Sequence, residues 1–371
     1  MSLSISTKAA SLIRGCSRPA TILHRGFLDT MIDSSHFPLL ITGLPGVPGY
    51  NSFHYFRKHF ADQVIGIMPT HTTGLAGPGV CRINAEQTTV LEQLFRTYKF
   101  KTVLDASGCC ALKSCEYNPQ LANLVNYEFP VQLCLQAKKH DAQLIRFSTD
   151  MVFDGLADTA YREDSALCPV TVYGKTMARA EEAILSEYSH SAILRIPLPM
   201  GPSLNGHAGA IDWIRHRFKH GRPATLYYDE VRSNLYIQDV IAVVEWFMES
   251  FHPGIFHLGG PLPLTLYEIG QIINKLGDYE AGLLNGCLRQ ESAPIPPRIG
   301  NVTLDSTKIL HLLPDDLIKP WPLDKRYRPT TRNWHEERRT RFSQDKIKEE
   351  LYGYNHTSDL RSPLNWHGRS A

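Results

Sequence analysis

From Phe37 onward, short runs of β-forming residues alternate with longer stretches of helical periodicity, and each run gives way to a helix before the next begins. Phe37 to Thr42 (FPLLIT) is continuously apolar, as a strand buried on both faces must be. A helix over 50–60 leads to the strand Gln63 to Ile67 (QVIGI), and a helix over 85–98 leads to Lys101 to Asp105 (KTVLD). A long helix over 119–139 opens on a proline, which a first turn tolerates. The strand Gln143 to Phe147 (QLIRF), a helix over 173–188 and the strand Ser191 to Ile196 (SAILRI) follow. Strands separated by helices cannot pair as hairpins, so the pattern predicts an α/β fold with a doubly wound parallel sheet. Ligands of such sheets sit beyond the carboxyl ends of the strands.

Composition narrows the function classes. The chain has 371 residues, 43% apolar and 20% charged, enough for a sizeable core. No apolar run approaches the ~18 residues a membrane span requires, so a soluble protein is expected. The net charge of +2 conceals an uneven distribution: residues 1–28 and 321–371 each carry +4, and residues 29–320 carry −6. An acidic body argues against nucleic acid as partner, and its anionic ligands must be attracted locally. The eight cysteines form no CxxC pair and no zinc-like spacing, so no metal is expected, and the thiols read as reduced, mostly buried and cytoplasmic. Residues 1–36 read as a leader outside the fold. Their first 28 residues are basic without an acid, as in an organellar transit peptide, although Met31 also suits a later start.

Three segments carry chemistry. Thr42-Gly43-Leu44-Pro45-Gly46-Val47-Pro48-Gly49 follows the first strand and opens the first helix, a turn that lets backbone approach a pyrophosphate at a helix N-terminus. After the second strand, Met68-Pro69-Thr70-His71 offers no acid to a ribose 2′-hydroxyl, which favours NADP(H) over NAD(H), with Arg57, Lys58 or His71 as the basic help. Ser148-Thr149-Asp150 ends the strand QLIRF, and Tyr173 stands 24 residues beyond Thr149 at a helix start. A hydroxyl at a strand end polarises a carbonyl, and a nearby phenol donates a proton. His216 and His220, four apart on a helix over 213–220, are flanked by Arg215, Arg217 and Lys219 and read as a solvated basic face.

STDMVFDG at Ser148 to Gly155, PVTVYGKTM from Pro169, Asn126 in LVN, LRIPLPMG at Leu194 to Gly201, YIQD at Tyr236, FHLGG at Phe256 and PRIGNVTLDSTKI from Pro297 together resemble the extended short-chain dehydrogenase/reductase family, most closely its dTDP-4-dehydrorhamnose reductase branch. The resemblance runs from about Phe37 to Leu313 and implies a Rossmann-like domain over 37–196 and a smaller substrate-binding lobe over 197–315, with a polar C-terminal extension over 316–371. It implies that Gly43, Gly46 and Gly49 hold cofactor phosphates, and that Ala106 and Ser107 lie along the cofactor. Asn126 would support the site, Thr149 bind the substrate carbonyl, and Tyr173 act as acid. The family pattern YxxxK has Met177 at its lysine position, and Lys175, roughly 200° around the helix from Tyr173, should point away. Met151 replaces the aromatic of STDYVF, and Lys113 stands where an acid is usual.

The activity implied is NADP(H)-dependent reduction of the 4-keto group of a nucleotide-activated deoxysugar. The family also contains the regulatory beta subunit of methionine adenosyltransferase, so the alternative is a cofactor-binding regulatory or scaffold protein with weak or no turnover. The partners implied are a nucleotide sugar and either a second copy of the chain or a regulated protein.

Overall fold

The computed structural model describes residues 32–206, 208–337, 343 and 349–353. Most of the leader, the charged residues over 338–342 and 344–348 and Cys16 lie outside the described residues. Packing on the main core already includes residues before the expected boundary at 37: Ile32 is buried in that core, and the Asp33 N–H donates to the Glu249 carboxylate.

Seven strands form one all-parallel sheet: β1 (Leu39–Ile41), β2 (Val64–Met68), β3 (Val80–Arg82), β4 (Thr102–Asp105), β5 (Gln143–Thr149), β6 (Ser191–Ile196) and β7 (Gly254–His257). Their spatial order is β7-β6-β5-β4-β1-β2-β3, so the direction of winding reverses between β1 and β4. That reversal opens a crevice at the carboxyl ends. Leu39, Leu40 and Ile41 align with Val64, Ile65 and Gly66 on one side and with Thr102, Val103 and Leu104 on the other. All three β1 residues are buried, as the unbroken apolar run required. β3 was not foreseen, because Val-Cys-Arg at an edge is too short to carry a pattern.

The crossovers are α1 (Val47–Phe60), α2 (Thr88–Tyr98), α3 (Leu112–Tyr117), α4 (Pro119–Asn123), α5 (Phe129–Lys139) and α6 (Val172–Glu187). α4 and α5 are the long expected helix, joined by a π-helical turn at Leu124–Glu128. After β6 the chain builds part of a second body. There Ala224–Tyr227 pairs with Leu284–Cys287, and α7 (Ala210–Lys219) shares a core with a later helix. It then returns to the sheet through α8 (Ile237–Glu249) and β7, before α9 (Leu266–Leu276) rejoins the second body. The polar composition after residue 316 hides a packing role: Trp321, Tyr327, Trp334 and Leu351 are buried in that second core.

Among the described residues no helix is long and apolar enough to cross a membrane, and no cysteine is in a disulfide. The expectation of mostly buried thiols is corrected. Of the seven described, only Cys115 and Cys134 are buried, because the others lie on loops and edges.

Candidate active site

The glycine turn is closed by the segment after β4. Gly43 adopts φ +66°, and a Cβ there would lie 1.9 Å from the Ala106 carbonyl oxygen. A Cβ on Gly49 would lie 2.3 Å from the Gly43 carbonyl, whereas Gly46 meets nothing nearer than 3.5 Å. Glycine is therefore needed at 43 and 49 for backbone to pass backbone. Gly46 is the N-cap of α1 and brings no side-chain acceptor, and a proline stands in the first turn. The remaining first-turn N–H groups have no side-chain cap, an arrangement suited to a phosphate. Ser107, beside it, buries an Oγ that has no hydrogen-bond partner. This donor set fits a dinucleotide pyrophosphate.

Beneath the crevice, one carboxylate ties three strands together. Asp105 accepts from Thr42 Oγ1 at 2.6 Å, from the Ser107 N–H at 3.0 Å and from the Arg146 guanidinium, all buried. Arg146 also donates to the Asn126 carbonyl at 3.2 Å, from the π turn. A π turn leaves carbonyls without their helical partners, and such turns recur at functional sites. Asn126 is itself fully buried; its Oδ1 accepts the Cys109 N–H at 2.7 Å and its Nδ2 donates to Thr176 Oγ1 at 3.0 Å.

Thr149 ends β5 and caps the turn that follows, accepting the Met151 N–H at 3.1 Å. Tyr173 sits at the start of α6, whose N-cap Thr171 accepts the Gly174 N–H at 2.9 Å, while Glu116 accepts the Val172 N–H at 2.8 Å. A Cβ at Gly174 would lie 2.2 Å from the Met151 carbonyl, so the helix start is pressed onto the turn after Thr149. The Thr149 hydroxyl is thereby set close enough to the Tyr173 phenol to favour its ionised form. Burial raises the Tyr173 phenol above its ordinary range, aided by Cys110 and Asp150, and opposed by Thr149 and Arg146.

The lysine slot of the family pattern is apolar and closed. Met177 is buried, and its sulfur lies 3.6 Å from Arg146 Nη2. Met151, Met177 and the flank of Tyr173 share one apolar cluster with Val152, Phe153 and Ile299. The two methionines that depart from the family pattern therefore belong to one apolar cluster. Lys175 is exposed, and Lys113 lies over the Tyr117 ring at 5.8 Å, so neither replaces the missing ammonium.

At the β2 end one expectation fails. Arg57 donates to the Ala61 and Val64 carbonyls and pairs with Asp62 at 3.2 Å, so it braces the amino end of β2, away from the crevice. The cation found at the carboxyl end is Arg82, at the end of β3, which donates to the Thr72 and Leu75 carbonyls. His71 is exposed there.

Sequence reasoning also missed two further buried pairs. Arg195 binds Glu181, which accepts from Ser148, and Arg232 binds Asp150 next to Thr149. The signal was present: Arg146 and Arg195 stand alone inside otherwise apolar strand runs, and a charge there demands a partner. The His216 and His220 rings lie 4.3 Å apart, tilted by 41°, at the end of α7, and among the described residues no three metal-ligating side chains are grouped.

A winding order of this kind, with the glycine turn over its crevice and a Thr–Tyr pair beside it, defines the Rossmann-like architecture of the extended short-chain dehydrogenase/reductases. Residues 39–321 match the family model for the RmlD substrate binding domain, and the chain belongs to that family. Among curated proteins it is 26% identical over 294 residues to the methionine adenosyltransferase 2 subunit beta of Xenopus tropicalis, covering 76% of this chain and 86% of that one. It is 27% identical over 192 residues to the spore coat polysaccharide biosynthesis protein SpsK of Bacillus subtilis, covering 52% and 66%. Among solved structures, a dTDP-4-dehydrorhamnose reductase from Clostridium acetobutylicum superposes with a TM-score of 0.62 at 22% identity, over 74% of this chain and 91% of that one. WbmG of Bordetella bronchiseptica, in complex with NAD and UDP, gives 0.63 at 20% identity, over 75% and 88%.

Proposed function

We propose that this chain binds NADP(H) and a nucleotide-activated 4-keto sugar, and reduces the sugar carbonyl slowly. The observation that carries the reading is the placement of Thr149, at the end of β5, against the start of the helix that bears Tyr173, where a Cβ at Gly174 would lie 2.2 Å from the Met151 carbonyl. Gly43, Gly46 and Gly49 hold the phosphates, with Ala106 and Ser107 along the dinucleotide and Asn126 fixing the wall behind it. The nicotinamide supplies the hydride when bound. Thr149 polarises the C4 carbonyl, and Tyr173 gives its proton to the alkoxide. The absence of an acid after β2 and the presence of Arg82 at that edge support a 2′-phosphate. Slow turnover is expected because an apolar Met177 does nothing to lower the phenol's pKa, and because Asp105 neutralises Arg146.

A second reading, a regulatory subunit that binds the cofactor without turnover, is favoured by the closed Met177 slot and by the similarity to methionine adenosyltransferase beta subunits. One experiment separates the two. The protein is titrated with NADPH and NADH by fluorescence, then NADPH oxidation is followed with a dTDP-4-keto-6-deoxysugar, beside Tyr173→Phe and Thr149→Val. Turnover lost in both variants supports the reductase. Tight NADPH binding with no turnover in the parent protein refutes it and leaves the regulatory reading.

A further inference from the structure

The loop joining β4 to α3 carries Cys109 and Cys110, and Cys115 lies within α3. Cys115 is buried and donates its Sγ to the Cys109 carbonyl oxygen at 3.1 Å, which holds the Cys115 thiol against the Cys109 residue. Cys109 is half-buried and Cys110 exposed, so solvent reaches this loop. The Cys109 backbone is held from the other side by Asn126. The Cys115 side chain, with help from the Ala111 backbone, draws the Cys109 thiol below the ordinary thiol range, while the same contact and burial keep Cys115 protonated. A solvent-reachable cysteine with a buried cysteine held against it in one short segment is the arrangement of an attacking and a resolving cysteine.

We propose that Cys109 and Cys115 are an oxidation site for hydroperoxides, converted reversibly to an intramolecular disulfide at the rim of the crevice. The Cys109 thiolate attacks the peroxide O–O bond and becomes a sulfenic acid. The departing oxygen takes a proton and leaves as water or an alcohol. Cys115 then gives up its proton and attacks the oxidised sulfur; the S–S bond forms, the S–O bond breaks, and the hydroxide leaves with that proton as water. Two thiols and one hydroperoxide thus yield one disulfide, one water or alcohol and one further water, the two electrons going to the O–O bond. An external dithiol reverses the change and is itself oxidised. This chemistry lies outside the reductase reading and stands whether or not that reading holds.

The test uses the full chain, reduced, exposed at pH 7 to a small excess of hydrogen peroxide and quenched with N-ethylmaleimide. Tryptic cleavage after Lys113 separates Cys109 from Cys115, so their peptides stay joined only through the disulfide. The expected result is a joined pair that dithiothreitol separates, formed about tenfold faster than the exposed Cys168 is oxidised. The link should disappear in Cys109→Ser and in Cys115→Ser and persist in Cys110→Ser. In Cys115→Ser, dimedone should label Cys109. A link that survives Cys115→Ser, a link that requires Cys110, or oxidation of Cys168 with 109 and 115 still reduced would each overturn the proposal.

Discussion

Met177→Lys restores the lysine of the family pattern, and the structure gives a reason to expect a cost. The sulfur it replaces lies 3.6 Å from Arg146 Nη2 in a buried apolar cluster. An ammonium about 4 Å from a guanidinium is repelled by about 4 kcal/mol at an effective dielectric constant near 20. Asp105 already serves Arg146, Thr42 and the Ser107 N–H, so it has little left to offset a second cation. The sign with pH follows from linkage. The folded state binds the introduced proton less tightly than the unfolded chain, so the penalty is complete near neutrality and shrinks as the unfolded chain also loses its proton toward pH 10. Guanidinium denaturation of variant and parent side by side at pH 7, 8.5 and 10 measures the difference at each pH. A loss near 4 kcal/mol at pH 7 that falls below about 1 kcal/mol at pH 10 is expected. A loss that does not change with pH, or no loss at all, refutes the reasoning and means that the new side chain turns away from Arg146 into the crevice.

Arg146→Met strands the buried Asp105 carboxylate and should cost about 3–5 kcal/mol in denaturant unfolding, with Arg146→Met/Asp105→Asn recovering much of that. Gly43→Ala should destabilise by at least about 2 kcal/mol, because its Cβ would meet the Ala106 carbonyl at a positive φ, and Gly46→Ala should cost under about 1 kcal/mol in the same assay. Trp321→Ala should cost about 3–5 kcal/mol by opening the second core under the Leu351 carbonyl that its indole binds at 3.2 Å. Burial raises the Glu245 carboxyl to about 7 against the hydrogen bond from Tyr55, so the folded state holds this proton more tightly than the unfolded chain. Stability then falls between about pH 4.5 and 7, and Glu245→Gln should flatten that slope in pH-dependent melting.

Much of the site was legible because its parts lie at the ends of strands, and strand ends are marked by local signals. The glycine turn, Ala106, Ser107 and Thr149 each follow an apolar run, and Tyr173 opens a helix behind a Thr cap. Arg57 misled because its position along the chain does not say which end of the sheet the helix terminus reaches. That end is set by α1 running back to the start of β2. The packing of residues 321–334 on the second body was equally hidden, since a few apolar side chains in a polar stretch carry no periodicity.

By itself, the sequence determined the parallel α/β architecture, because burial on both faces writes continuous apolar strands and crossovers need helices between them. It also determined that the lysine position is a methionine. What lies beside that methionine was decided only by tertiary structure. Arg146, Asp105 and Asn126 come from three separate segments, and they meet because charges enclosed by a packed sheet must find partners across it. The same closure brings Cys109 and Cys115 together with Asn126, a juxtaposition that spacing along the chain does not reveal.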